Sequence, residues 1–123
     1  MAGFMVLQVW RERMTLRWDA ESQDARFVPE SEAHGFDDLP EIIASEIEGY
    51  AEPNIGGEGS LAWFARYSAP GYMDRTDTAG PGPTAIEAGI ACWDLYDGDA
   101  EELVTTLARV GCEEADVRSM AGL

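Results

Sequence analysis

The chain has 123 residues, 46% of them apolar and twelve aromatic, four each of Trp, Tyr and Phe, which suits one domain with its own core and argues against intrinsic disorder. Twenty-four acids stand against eight basic residues, all of them Arg, for a net charge of −16, and such a surface repels phosphate, excluding direct binding of nucleic acid or anionic lipid. Two cysteines are too few for a disulfide framework, and no uncharged apolar stretch approaches the roughly 20 residues that span a bilayer, so a soluble, cytoplasmic protein without a membrane partner is expected.

Residues 4–10 are apolar and aromatic, and Met14, Leu16 and Trp18 alternate with Arg13, Thr15 and Arg17. Both patterns predict strands, joined as a hairpin through residues 11–13. The polar run 19–24 reads as a turn, and residues 25–28 as a third short strand stopped by Pro29. Pro40 suits a first helical turn, and Ile43, Ile47 and Tyr50 then follow at i, i+4 and i+7. The opposite side of this predicted helix over 41–50 carries Glu41, Ser45, Glu48 and Glu52, a carboxylate stripe whose length Gly49 and Pro53 limit. Residues 54–59 read as a flexible connector.

Leu61, Trp63, Ala65 and Tyr67 alternate with Ala62, Phe64 and Arg66, the best strand signal in the chain. Pro70 and Gly71 predict a type II turn, in a hairpin whose Tyr72 packs inward and whose Asp74 and Asp77 bond the turn backbone. The run 79–83 (AGPGP) is expected to be irregular. Thr84 and Glu87 form a capping box for a helix over 85–96, with Ile86, Ile90 and Trp93 as its core stripe, extended by Cys92 and Leu95. Asp99 caps a further helix, with Leu103, Leu107 and Val110 facing the core and Gly111 as the stop. A last turn over 113–119 covers the open end. The expected architecture is a single α+β domain, with a mainly antiparallel sheet of about four to five strands and two to three helices.

No catalytic signature emerges. His34, the only histidine, lies in an acidic loop, and Cys92 lies within the most apolar helical segment, where a thiol acts as a small hydrophobe. Asp97, Gly98 and Asp99 begin like a calcium loop, but Glu102 and Ala108 occupy the positions that need Gly and Glu. Gly56, Gly57 and Gly59 surround Glu58 with no Lys-Ser/Thr step to cradle phosphate. No metal or cofactor is expected, and an enzyme would require at least two of Cys92, His34 and the Asp74/Asp77 pair to converge within hydrogen-bond reach in a pocket.

Charge is the more informative feature. Residues 1–18 carry +2, residues 19–58 carry −11, residues 59–83 are neutral and residues 84–123 carry −7. Self-repulsion of this size is either screened by the environment or exploited by a partner. One reading is an accessory domain of a mobile element or halophile whose acidity serves solubility alone. The other is imitation of nucleic acid: carboxylates once per helical turn, about 5.4 Å apart, approach the phosphate spacing of a strand and suit a basic channel. The residues expected to meet such a basic protein surface are Asp37, Asp38, Glu41, Glu46, Glu48 and Glu52.

Residues 68–78 (SAPGYMDRTDT), followed by GPTAIEA, resemble a segment of short acidic proteins of bacteriophages, plasmids and other mobile elements. Those segments run close to S-A-x-G-Y-x-D-x-T-D-W before G-P and an acidic helix start; here Thr78 replaces the Trp and Ile86 interrupts the acidic pair. The resemblance covers about a fifth of the chain and carries no known activity. Its implication is context, since a small acidic protein of this kind is similar in character to anti-CRISPR and anti-restriction inhibitors, some of which mimic DNA. The expected partner is then a nucleic-acid-processing complex in the host cytoplasm.

Overall fold

A computed structural model describes residues 5–123. Its dominant element is one long strand, β1 (Val6–Asp19), which serves two neighbours in turn. The first half, Val6 to Arg13, pairs with β3 (Leu61–Ser68), and the second half, Met14 to Asp19, with β2 (Asp24–Pro29). A short β4 (Ala79–Gly82) completes an all-antiparallel sheet of order β2-β1-β3-β4, curled enough to bring β2 and β4 into contact.

The expected hairpin through residues 11–13 does not form. Arg11, Glu12 and Arg13 include no turn-forming residue, and the period-2 alternation continues through them, so the ladder with β3 runs unbroken from Val6 to Arg13. The start of that predicted first strand, Phe4, lies outside the described residues. Residues 79–82, expected to be irregular, instead form β4. Pro and Gly are tolerated there because the strand is an edge, registering with β3 only at Trp63↔Gly82 and Ala65↔Ala79. The type II turn does form: Tyr72 N–H closes on Ala69 O, 3.1 Å away, across Pro70 and Gly71. Tyr72 nevertheless stays 74% exposed instead of packing inward, and backbone, not the Asp74 carboxylate, ties the loop, Ala69 N–H donating to Asp74 O.

The described residues form four α-helices, α1 (Glu41–Glu46) between β2 and β3, and α2 (Ala85–Leu95), α3 (Ala100–Arg109) and α4 (Glu114–Ala121) after β4. The capping signals hold, with Thr84 Oγ1 accepting from Glu87 N–H at 3.2 Å and Asp99 Oδ2 from Glu102 N–H at 3.3 Å. The core stripe of α2 is rotated from the expected one. Ala85, Ala88, Gly89 and Cys92 are buried, Ile86, Ile90 and Trp93 are only partly so, and Leu95 is 69% exposed. Small residues face inward because α2 packs closely; a Cβ on Gly89 would lie 3.0 Å from Leu107 Cδ2. Val110, the C-cap of α3, is likewise exposed, while Leu103 and Leu107 are fully buried.

Alternation along β3 feeds two cores. Ala65 and Tyr67 join Leu7, Cys92, Leu103, Leu107 and Val117 beneath α2, α3 and α4. Ala62 and Phe64 point the other way, into the curl of the sheet, with Met14 and Phe27 and with Trp10, Leu16 and Ile55 at the margin. A 3-10 turn (Glu30–Gly35) crosses this second side, where Ser31 donates through N–H and hydroxyl to the Glu12 carboxylate. Partial burial would raise the Glu12 pKa, but these bonds, the Trp10 indole N–H and the Arg66 charge together hold it below the usual carboxylate value.

Candidate partner-binding surface

The six candidate carboxylates all lie between β2 and β3, in residues 36–60, a segment fastened to the sheet at several points. Trp18 and Asp37 exchange backbone hydrogen bonds of 2.9 and 3.0 Å, and Met14 N–H donates to Ser60 O at 2.9 Å. Tyr50 stacks on Phe27 with centroids 5.8 Å apart. Glu58 is drawn in as well, its carboxylate accepting from Leu16 N–H at 2.8 Å and from the Thr15 hydroxyl. The residues expected to be a flexible connector therefore carry a structural carboxylate.

The single-helix stripe is not present. α1 ends at Glu46 because Ile47 caps it and Gly49 adopts φ +78°, a left-handed conformation that L side chains rarely take. None of its six residues is buried, so packing does not extend it. Glu41 and Glu46 mark its two ends, Glu48 lies in the next turn, and Glu52 sits in a separate bridge with Gly56. Asp38 is neutralised in part by an ion pair with Arg17. Glu52 is half-buried and accepts from the Tyr50 hydroxyl at 3.2 Å, and its charge is the main cause that pushes the Tyr50 pKa up. Asp37, Glu41, Glu46 and Glu48 are exposed, and no ion pair among the described residues engages them.

Among the described residues, ion pairs engage five of the 24 acids: Asp19, Glu32, Asp38, Glu101 and Glu114. Exposed carboxylates also occur on the helical layer, at Glu87, Asp94, Glu101, Glu114 and Asp116. The negative surface is thus broad, and residues 36–60 form one part of it.

Of the residues that an enzyme would need, two share a groove without a hydrogen bond between them, and Cys92 lies apart. His34 and Asp77 line one groove of about 210 Å³ with Arg26, Glu32 and Arg75. Cys92 is sealed among the helices at 0% exposure and shares no hydrogen bond with His34. Burial pushes its thiol up to about 11, which keeps it protonated near neutral pH. Cys112 is less buried. A thiol-reactive chromophore at pH 8 should therefore titrate one cysteine promptly in the native protein and two in denaturant; prompt reaction of both would contradict the sealed position of Cys92.

Among the described residues, no group of three or more His, Cys, Asp or Glu side chains is suited to hold a metal ion, and no helix is long and apolar enough to cross a membrane. No family model, curated protein or solved structure matches this chain.

Proposed function

We propose that the protein is a small acidic binding protein that inhibits a nucleic-acid-processing complex by presenting carboxylates to a basic surface. The observation that carries this reading is the group Asp37, Glu41, Glu46 and Glu48, exposed and without ion pairs among the described residues, on a segment anchored to the sheet. Carboxylates held on a fixed backbone meet a basic channel with little ordering cost, as phosphates of a duplex do. The resemblance of residues 68–78 to proteins of mobile elements supports an anti-CRISPR or anti-restriction setting in a host cytoplasm.

The test is competition with DNA for purified CRISPR effectors and restriction enzymes. The triple variant Glu41→Arg, Glu46→Arg, Glu48→Arg replaces three negative charges by three positive ones, and any inhibition by the wild type should fall by roughly a hundredfold or more. Inhibition unchanged by the reversal would remove the mimic reading.

A second reading is favoured by the exposed acids on α2, α3 and α4, which place negative charge beyond a single face. Here acidity serves solubility in an accessory domain, and screening should raise the melting temperature continuously with salt. A melting temperature insensitive to salt, together with inhibition lost on charge reversal, selects the first reading.

A further inference from the structure

We propose that the first half of β1 is an open sheet edge that accepts an extended acidic peptide segment as a fifth strand. β2 pairs with β1 only over Met14 to Asp19. After Pro29, which has no N–H to continue the ladder, the chain leaves the sheet plane and crosses the second core as the 3-10 turn. Beyond that point β1 has β3 on one side and, among the described residues, no strand on the other.

Parity identifies the unpaired groups. Met14 N–H donates to Ser60 O, on the β3 side, whereas Leu7 N–H points away from β3 and meets the Glu102 carboxylate at 3.4 Å. Backbone direction alternates along a strand, so Val9, Arg11 and Arg13 turn their N–H and C=O groups toward the open side. No hydrogen bond among the described residues engages them there.

The edge also differs in charge from the rest of the molecule. Arg11 and Arg13 are exposed, lie on one face of β1, and form no ion pair among the described residues; Arg13 Nη1 donates only to Gly59 O, at 2.8 Å. An added strand with Asp or Glu at alternate positions would set one carboxylate beside the Arg11 guanidinium and draw that of Arg13 across from Gly59, on the β3 side, to a second, while its backbone completes the ladder. A second copy of this chain fits less well, because two such edges would bring Arg against Arg. A nucleic acid lacks the N–H and C=O series that the edge requires. The two Arg residues also suit a guard against edge pairing, and the experiment separates guard from receptor.

The probe is a labelled synthetic peptide of about ten residues in which Asp alternates with Val or Thr, followed by anisotropy and by amide hydrogen exchange. In the dilute free protein the Val9, Arg11 and Arg13 amides should exchange rapidly while those of Gln8, Trp10 and Glu12, turned toward β3, are protected. Saturating peptide should protect the first set. The variant Arg11→Glu, Arg13→Glu should keep the second set protected, which shows that it folds, and weaken peptide binding by roughly tenfold or more. Absence of binding, binding unaffected by the reversal, or protection that depends on protein concentration without peptide would each overturn the proposal, the last in favour of self-pairing. Charge reversal at Glu41, Glu46 and Glu48 should leave this binding intact, so the two surfaces fail or succeed independently.

Discussion

Gly98→Ala should be severely damaging for a single added methyl, lowering stability by about 3 kcal/mol or more, at the upper end of overpacking effects. A Cβ at this position would lie 1.8 Å from the Tyr67 hydroxyl oxygen, 2.7 Å from Tyr67 Cζ and 3.0 Å from Trp93 Cδ1. Neither ring has freedom to withdraw. Tyr67 is 1% exposed and packs edge-on against Tyr96, and Trp93 Nε1 donates to Gly98 O at 2.8 Å. Gly98 also precedes Asp99, the N-cap of α3, so any shift of the loop loosens that cap.

Tyr67→Phe supplies the internal control. The Tyr67 hydroxyl is buried with no hydrogen-bond partner among the described residues, and burial pushes its pKa up to about 12. Removing an unpaired buried hydroxyl should be neutral or stabilise by about 1 kcal/mol. It should also make room for the added methyl, although Cζ at 2.7 Å still crowds it. Urea unfolding of the four proteins in the cycle should therefore show a coupling of about 1–2 kcal/mol. A Gly98→Ala cost that is the same with Tyr or Phe at position 67 would place the damage elsewhere.

What the sequence discloses follows from the range of each interaction. The caps at Thr84 and Asp99 bond three residues ahead, and the alternation from Leu61 to Tyr67 needs only its own strand, so both are legible locally. The continuity of β1 is not, because two apolar runs separated by Arg-Glu-Arg read equally as two strands until β3 is seen to template both sides of residue 11. The end of α1 depends on how few of its side chains find a core, and the inward face of α2 depends on how near Leu107 approaches. In the candidate site, exposure of Asp37, Glu41, Glu46 and Glu48 follows from composition. Their anchoring does not, since Glu58 reaches back 42 residues to Leu16. The open edge is equally hidden, because it exists only through the path that the chain takes after Pro29.

A polar network that joins distant parts of the chain yields the other large effect. Glu32 reaches from the 3-10 turn to the second side of the sheet, where its carboxylate is 11% exposed. It accepts from Arg66 Nη1 at 3.0 Å and from Thr78 Oγ1 at 2.8 and 2.9 Å, and Arg75 Nη1 lies 3.5 Å away. Arg66 is itself fixed, with Nε donating to Gln8 Oε1 at 3.0 Å and its guanidinium over the Trp10 ring at 5.0 Å. Glu32→Gln keeps the shape but removes the counter-charge, leaving Arg66, whose side chain is 25% exposed, without its only ion-pair partner among the described residues, with Glu12 acting on it at longer range. The expected loss is about 2–3 kcal/mol, nearly all through Arg66, because Arg75 is 47% exposed and well solvated. Arg66→Met in the Glu32→Gln background removes the stranded charge and should recover part of that loss, whereas Arg75→Met should recover almost none. Equal recovery from the two, measured by urea unfolding, would mean that the carboxylate acts through its general field and not through the half-buried pair with Arg66.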